Sequence, residues 1–211
     1  MKQFDLSLYL VLDPDLCRVI GMVETARLAV LGGATMVQLR DKQATTAEMI
    51  ATGLQLKAAL SGAGVSLIVN DDVEAALAIG ADGIHVGQED MNATEVRKRV
   101  GDRLILGLSV ETEDLARRVD PAVVDYVGVG PVFATGTKPD HKQPIGFKGL
   151  ARIVAASPIP AVAIGGVKIQ DVEEIFRAGA TGLAVVSAIC GSPDPQAATR
   201  LIADKIAEVK K

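Results

Sequence analysis

The chain has 211 residues, 49% of them hydrophobic and 23% charged, with a net charge of -4. That balance suits one soluble domain able to bury a core without staples, and the absence of a basic tract or aromatic platform argues against nucleic-acid binding. The two cysteines lie outside any CxxC pattern, no run reaches ~18 uncharged apolar residues, and Met1-Lys2-Gln3-Phe4-Asp5 has no leader pattern. The expectation is a cytoplasmic protein with no membrane span, no disulfide framework and no zinc knuckle.

Aromatic residues make up only 3% of the chain and Trp is absent, so Ala, Val, Ile and Leu must build the core. Short apolar runs alternate with longer amphipathic ones. The apolar runs predict eight strands, at Leu6–Leu12, Met36–Arg40, Ser66–Asn70, Gly83–Val86, Leu104–Leu108, Tyr126–Gly130, Ala161–Gly165 and Gly182–Ser187. Helices are predicted between and after them: Val23–Leu31, a run from Thr46 to Lys57, Val73–Ile79, a run from Asn92 to a stop at Gly101, Thr112–Val119, Phe147–Ala156, Ile169–Ala178 and Gln196–Val209. Gly80 and Gly179 read as helix stops. A turn from helix into strand recurs as Gly33-Ala34, Gly80-Ala81-Asp82-Gly83 and Gly179-Ala180-Thr181-Gly182. Eight βα units in this length point to an α/β fold, a (β/α)8 TIM barrel with a parallel eight-stranded barrel and outer helices, spanning residues 1–211 as one domain. A doubly wound sheet is the rival. It is disfavoured because Leu12-Asp13-Pro14-Asp15 after the first strand is no GxGxxG.

In such a barrel the active site forms at the carboxyl ends of the strands. The polar residues fall there. The second strand ends in Gln38-Leu39-Arg40-Asp41-Lys42, the third in Asn70-Asp71-Asp72, the fourth in His85-Val86-Gly87-Gln88-Glu89-Asp90 and the fifth in Gly107-Leu108-Ser109. The sixth leads into Thr135-Gly136-Thr137-Lys138, the seventh ends in Gly165-Gly166 and the eighth in Val186-Ser187. Clustered cations beside an apolar strand suggest an anionic ligand. Asp71 and Asp90 on neighbouring strand ends suit a hard cation such as Mg2+ shared with substrate phosphates, with Asp72 and Glu89 as lesser candidates. Asp71 and Asp72 also suit capping of the helix that starts near Val73, and both roles stay open. Thr135 to Lys138 resembles a phosphate cradle weakly, while the ends of the seventh and eighth strands match a common phosphate position of barrels. His85 reads as a hydrogen-bonded core group, since no Ser or Cys partner is near it in sequence. His141 reads as solvated. Two anion subsites and no evident general base suggest joining two phosphorylated ligands by a dissociative displacement with diphosphate as leaving group.

The set QLRDK, VND, GIHVGQED, GLS, DYVGVGPVFATGTK, AIGGV and LAVVSAI resembles thiamine-phosphate synthase, in the family's order, from about Tyr9 to Ile189. The resemblance implies a (β/α)8 barrel. It implies a transferase of thiamine biosynthesis that condenses hydroxymethylpyrimidine diphosphate with hydroxyethylthiazole phosphate, or its carboxylated form, using Mg2+. It implies that Gln38, Leu39, Arg40, Asp41, Lys42, Asn70, Ser109 and Lys138 hold the pyrimidine diphosphate, with Arg40, Lys42, Ser109 and Lys138 as the catalytic set. It implies Asp71 and Asp90 as metal ligands, and Thr135, Gly136, Thr137, Gly166, Val186 and Ser187 around the thiazole phosphate. The partners expected are these small molecules, with no nucleic acid or membrane, and a homo-oligomer is left open. Three positions depart from the family pattern: Asp41 stands where Glu is commoner, Asp72 where Arg is frequent, and His141 where a small residue is usual. The related thiazole tautomerase, a non-catalytic phosphate-binding barrel and a phosphosugar isomerase are the competing readings.

Overall fold

A computed structural model describes residues 3–135 and 143–211. The strands are β1 (Leu8–Val11), β2 (Met36–Leu39), β3 (Ser66–Asn70), β4 (Gly83–Val86), β5 (Ile105–Val110), β6 (Tyr126–Val129), β7 (Ala161–Ile164) and β8 (Gly182–Val185). They are all parallel and close in sequence order, with β1 pairing with both β2 and β8. The helices are α1 (Met22–Gly32), α2 (Thr46–Ala59), α3 (Val73–Ile79), α4 (Ala93–Val100), α5 (Glu113–Arg117), α6 (Gly146–Ala156), α7 (Val172–Arg177) and α8 (Pro195–Val209). The (β/α)8 barrel expected from the sequence is therefore the fold.

Several predicted strands are longer than the observed ones at their carboxyl ends. Arg40, Gly130, Gly165 and Ser187 leave the ladder, because these residues turn the chain outward into the rim loops. β5 runs the other way: it extends through Ser109 and Val110, with Ser109 in register with Gly128. The predicted helix Thr112–Val119 contracts to Glu113–Arg117, with Thr112 as its cap. The predicted helix Ile169–Ala178 opens with a 3-10 turn at Ile169–Asp171.

Local sequence explains the helix ends. Thr45 and Glu48 close a reciprocal box on α2, in which each side chain satisfies a backbone N–H of the other. Asp194 caps α8, and Pro195 follows at the first helical position, where its missing N–H costs nothing. Gly80 ends α3 in the left-handed conformation at φ 63°, which residues with a Cβ rarely adopt.

Each strand divides its side chains between two cores, since successive residues face opposite ways. Leu10, Val37, Leu39, Val69, Ile84, Val127 and Leu183 belong to the layer between barrel and helices. Tyr9, Met36, Ile68, Ile105, Tyr126, Val162 and Ala184 fill the barrel itself. Both tyrosines of the chain thus lie fully buried in the inner core, which composition had assigned to aliphatic residues.

The amino-terminal rim carries charges too, and they have structural roles. Asp82 Oδ2 accepts from Leu67 N–H and Asp125 Oδ2 from Leu106 N–H, each at 2.8 Å. Arg97, on α4 and buried, donates to the carbonyls of Val123, Gly101 and Leu104 and pairs with Asp125 at 2.7 Å. These groups tie loops to strands on the face away from the site.

Candidate active site

The inner side-chain parity sorts the expected site residues. Gln38 follows Met36 by two, Asn70 follows Ile68, Ser109 follows Gly107, and Val186 follows Ala184 and packs on the inner cluster. Arg40 and Gly166 continue the same parity just beyond their strands. A period of two from a filled inner layer therefore sets these groups at the carboxyl mouth.

Two members of the Gln38–Lys42 segment have side chains engaged within the protein. Leu39 has the opposite parity, and its side chain is buried in the outer layer beside Gly53. Asp41 Oδ1 accepts from the N–H groups of Gln43 at 3.0 Å and Ala44 at 3.2 Å. That is a carboxylate shaping its own turn, as Asp does in loops.

Asp71 and Asp90 adjoin each other at the mouth. Asp71 follows β3 at φ 61°, the only non-glycine residue with positive φ among the described residues. Asp tolerates that region better than most residues. Its carboxyl accepts from Asn70 Nδ2 at 2.5 Å and lies 3.2 Å from Lys42 Nζ. Burial, and a hydrogen bond with Asp90, push the Asp71 carboxyl up to about 6. Asp90 feels desolvation as well, but the bonds from Asp71 and from Gly87 N–H at 2.7 Å hold it below the ordinary carboxylate value. The two adjoining carboxylates therefore titrate together, Asp71 being the weaker acid of the two. Capping of α3 falls to Asp72 instead, whose Oδ1 accepts from Ala75 N–H at 2.8 Å. Glu89 is exposed.

On the other side of the mouth, the loop after β6 is laid along β7. Val132 N–H donates to Ile164 O and Phe133 N–H to Gly165 O, both at 2.9 Å. A Cβ on Gly166 would stand 2.7 Å from Ala134 O, so only glycine permits this approach. Thr135 is thereby brought to the end of β7. Val186 lies next, after β8, where its carbonyl accepts from the N–H groups of Ile189 and Cys190. The first N–H groups of the turn that follows, from Ser187 and Ala188, have no partner within it. Gly136, Thr137, Lys138 and His141 lie outside the described residues.

The residues missed by sequence reasoning are in the inner layer. Gln38 Nε2 donates to Tyr9 Oη at 2.6 Å, Tyr9 Oη lies 3.0 Å from Tyr126 Oη, and Tyr126 Oη lies 2.9 Å from His85 Nδ1. His85 Nε2 then meets Ser109 Oγ at 2.9 Å. His85 is a hydrogen-bonded interior group, as expected, but it does have a serine partner, from the neighbouring strand. The available signal was parity: Tyr9, His85 and Tyr126 share the inward phase with Gln38 and Ser109. The fold also joins the cysteines. Cys17, after β1, and Cys190, after β8, are buried free thiols; Cys190 Sγ donates to Val11 O at 3.7 Å, and the neighbouring Cys17 together with burial holds the Cys190 thiol well above the ordinary range.

Among the described residues no group of three His, Cys, Asp or Glu side chains converges. A pair of carboxylates is nonetheless the usual protein share of a Mg2+ site completed by substrate phosphates and water. Asp71 and Asp90 stand where a cation would relieve like-charge repulsion between them. No helix among the described residues is long and apolar enough to cross a membrane.

Comparison with known proteins agrees with this geometry. The model of a family described as thiamine monophosphate synthase matches residues 8–189. A thiamine-phosphate synthase of Psychrobacter is 45% identical over 204 residues, covering 95% of each chain. One from Xanthobacter autotrophicus is 47% identical over 201 residues, with the same coverage. The solved thiamine phosphate pyrophosphorylase of Pyrococcus furiosus superposes with a TM-score of 0.88 at 36% identity, covering 98% of both chains. A 3-hexulose-6-phosphate synthase, at 18% identity and a TM-score of 0.70, covers 94% of this chain and 99% of its own and shares the fold.

Proposed function

This chain belongs to the thiamine monophosphate synthase family, and from that premise we propose how its residues divide the reaction. It is a transferase of thiamine biosynthesis. The bond that breaks joins the pyrimidine methylene carbon to the diphosphate oxygen, which leaves with the electron pair. The bond that forms joins that carbon to the thiazole nitrogen.

Arg40, Lys42, Asn70 and Lys138 hold the diphosphate, where cations stabilise the charge that grows on it. Gln38 and Ser109 orient the pyrimidine ring above the filled inner layer. Thr135, Gly136, Thr137, Gly166, Val186 and Ser187 hold the thiazole phosphate. Asp71 and Asp90 would hold Mg2+, which would supply charge neutralisation for the diphosphate. The thiazole nitrogen attacks with its own lone pair, so the step needs no general base. The reaction takes place in the cytoplasm on two small-molecule substrates.

The observation that carries this reading is the adjoining pair Asp71 and Asp90 at the mouth, with Lys42 3.2 Å from Asp71 Oδ2. Such a pair suits a cation and a diphosphate together. The test is incubation with both phosphorylated precursors and Mg2+. Thiamine phosphate and equimolar diphosphate are expected. Turnover of the thiazole precursor alone, without joining, would assign a tautomerase instead.

A further inference from the structure

We propose that Tyr9 and Tyr126, acting through His85, are positioning residues that tie the amide orientation of Gln38 to the hydroxyl orientation of Ser109. The inference rests on the assignment of Gln38 and Ser109 to the pyrimidine ring. It concerns the layer beneath them.

The four contacts of 2.6, 3.0, 2.9 and 2.9 Å run unbroken from Gln38 to Ser109 through Tyr9, Tyr126 and His85. Each phenol holds one proton and a neutral imidazole holds one. Burial raises both phenols far above their ordinary value, so neither gives its proton up. With Gln38 Nε2 donating to Tyr9, the Tyr9 proton has Tyr126 Oη to go to, and the Tyr126 proton has His85 Nδ1. His85 then carries its proton on Nε2 and donates to Ser109 Oγ. The Ser109 proton is left for the ligand, and Gln38 Oε1 is left as an acceptor. Turning the Gln38 amide over reverses every bond and makes Ser109 an acceptor. A mixed arrangement would strand a hydroxyl proton in the barrel interior, which is costly. The two ends therefore keep opposite polarity. That matches the edge of an aminopyrimidine, where a donating amino group adjoins an accepting ring nitrogen.

The barrel makes room for this line of rings. A Cβ on Gly107 would lie 2.2 Å from Tyr126 Cζ and 2.4 Å from His85 Nδ1. One on Gly128 would lie 3.2 Å from His85 Cε1. Two inward positions are thus kept empty of side chain around a polar relay in an otherwise apolar layer.

The test uses full-length protein labelled with 15N-histidine, alongside Tyr126→Phe and Tyr9→Phe, which keep the ring packing. His141→Gln identifies the signal of the second histidine. The wild type is expected to show His85 in a single Nε2–H tautomer, and Tyr126→Phe a mixture or the opposite tautomer. In Tyr126→Phe, kcat/KM for the aminopyrimidine diphosphate should fall about tenfold, on the scale of one lost hydrogen bond, while KM for the thiazole phosphate moves less than about twofold. If Tyr126→Phe fails to fold, Tyr9→Phe carries the same kinetic expectation, with the Nε2–H tautomer of His85 kept because the Tyr126 proton then has only Nδ1 to go to. A variant that loses only thermal stability, with the wild-type tautomer and kcat/KM, would overturn the proposal. Absence of wild-type turnover would sink the functional reading instead, and the tautomer measurement would still decide the relay.

Discussion

Asp71→Asn should make the protein more stable above pH 6 while removing its activity. Folding raises the Asp71 carboxyl from 3.8 to about 6, through burial first and the Asp90 bond second. Between those pH values the folded chain holds a proton that the unfolded chain has released. Stability from this group is therefore complete below 3.8 and lost as pH rises through about 6. Roughly two pH units at ~1.4 kcal/mol each set a ceiling of about 3 kcal/mol, and partial exposure of the carboxyl lowers the expected value to about 1 to 3 kcal/mol. Asn suits the perturbation because it tolerates the positive φ of 61° and still accepts from Asn70 Nδ2. Asp90 works in the opposite sense but titrates below the window of interest. Urea unfolding of both proteins without divalent cations, at intervals from pH 5 to pH 8, measures the effect. The stability gap should open in favour of Asp71→Asn as pH rises through about 6 and level off above pH 7. A pH-independent gap, or a less stable variant at pH 8, would refute the reasoning. Mg2+ should stabilise the wild type and leave Asp71→Asn unchanged, because a ligand stabilises only the state that binds it.

Asp72→Ala removes the cap of α3 and should cost about 1 kcal/mol in urea unfolding, with kcat/KM unaltered; a large loss of turnover would place Asp72 at the metal after all. Arg97→Ala deletes the anchor of the amino-terminal rim and leaves Asp125 without that partner. It should cost about 3 kcal/mol in thermal or urea unfolding, while kcat measured well below the transition stays near wild type.

The alternation of short Val- and Ile-rich runs with amphipathic ones made the eight βα units legible, because strand and helix periods are local properties of the chain. Their carboxyl ends made most of the mouth legible as well. A barrel fixes which end of every strand bears the site, so Gln38, Arg40, Asn70, Asp71, Asp90 and Ser109 stand out as polar breaks in apolar text. Leu39 and Asp41 entered the site through the resemblance of the whole QLRDK segment to the family. Strand alternation turns Leu39 to the helices, and Asp41 satisfies its own turn.

What the sequence could not decide were the contacts between segments far apart in the chain. Capping of α3 by Asp72 rather than Asp71 depends on a single left-handed residue. Cys17 and Cys190 meet because β8 closes against β1. Tyr9, His85 and Tyr126 look like isolated residues in three separate strands until the barrel brings them together on one axis. Local pattern determines which elements form and which way each side chain faces. Closure of the barrel alone determines which inward groups touch, and here that closure links Gln38 to Ser109.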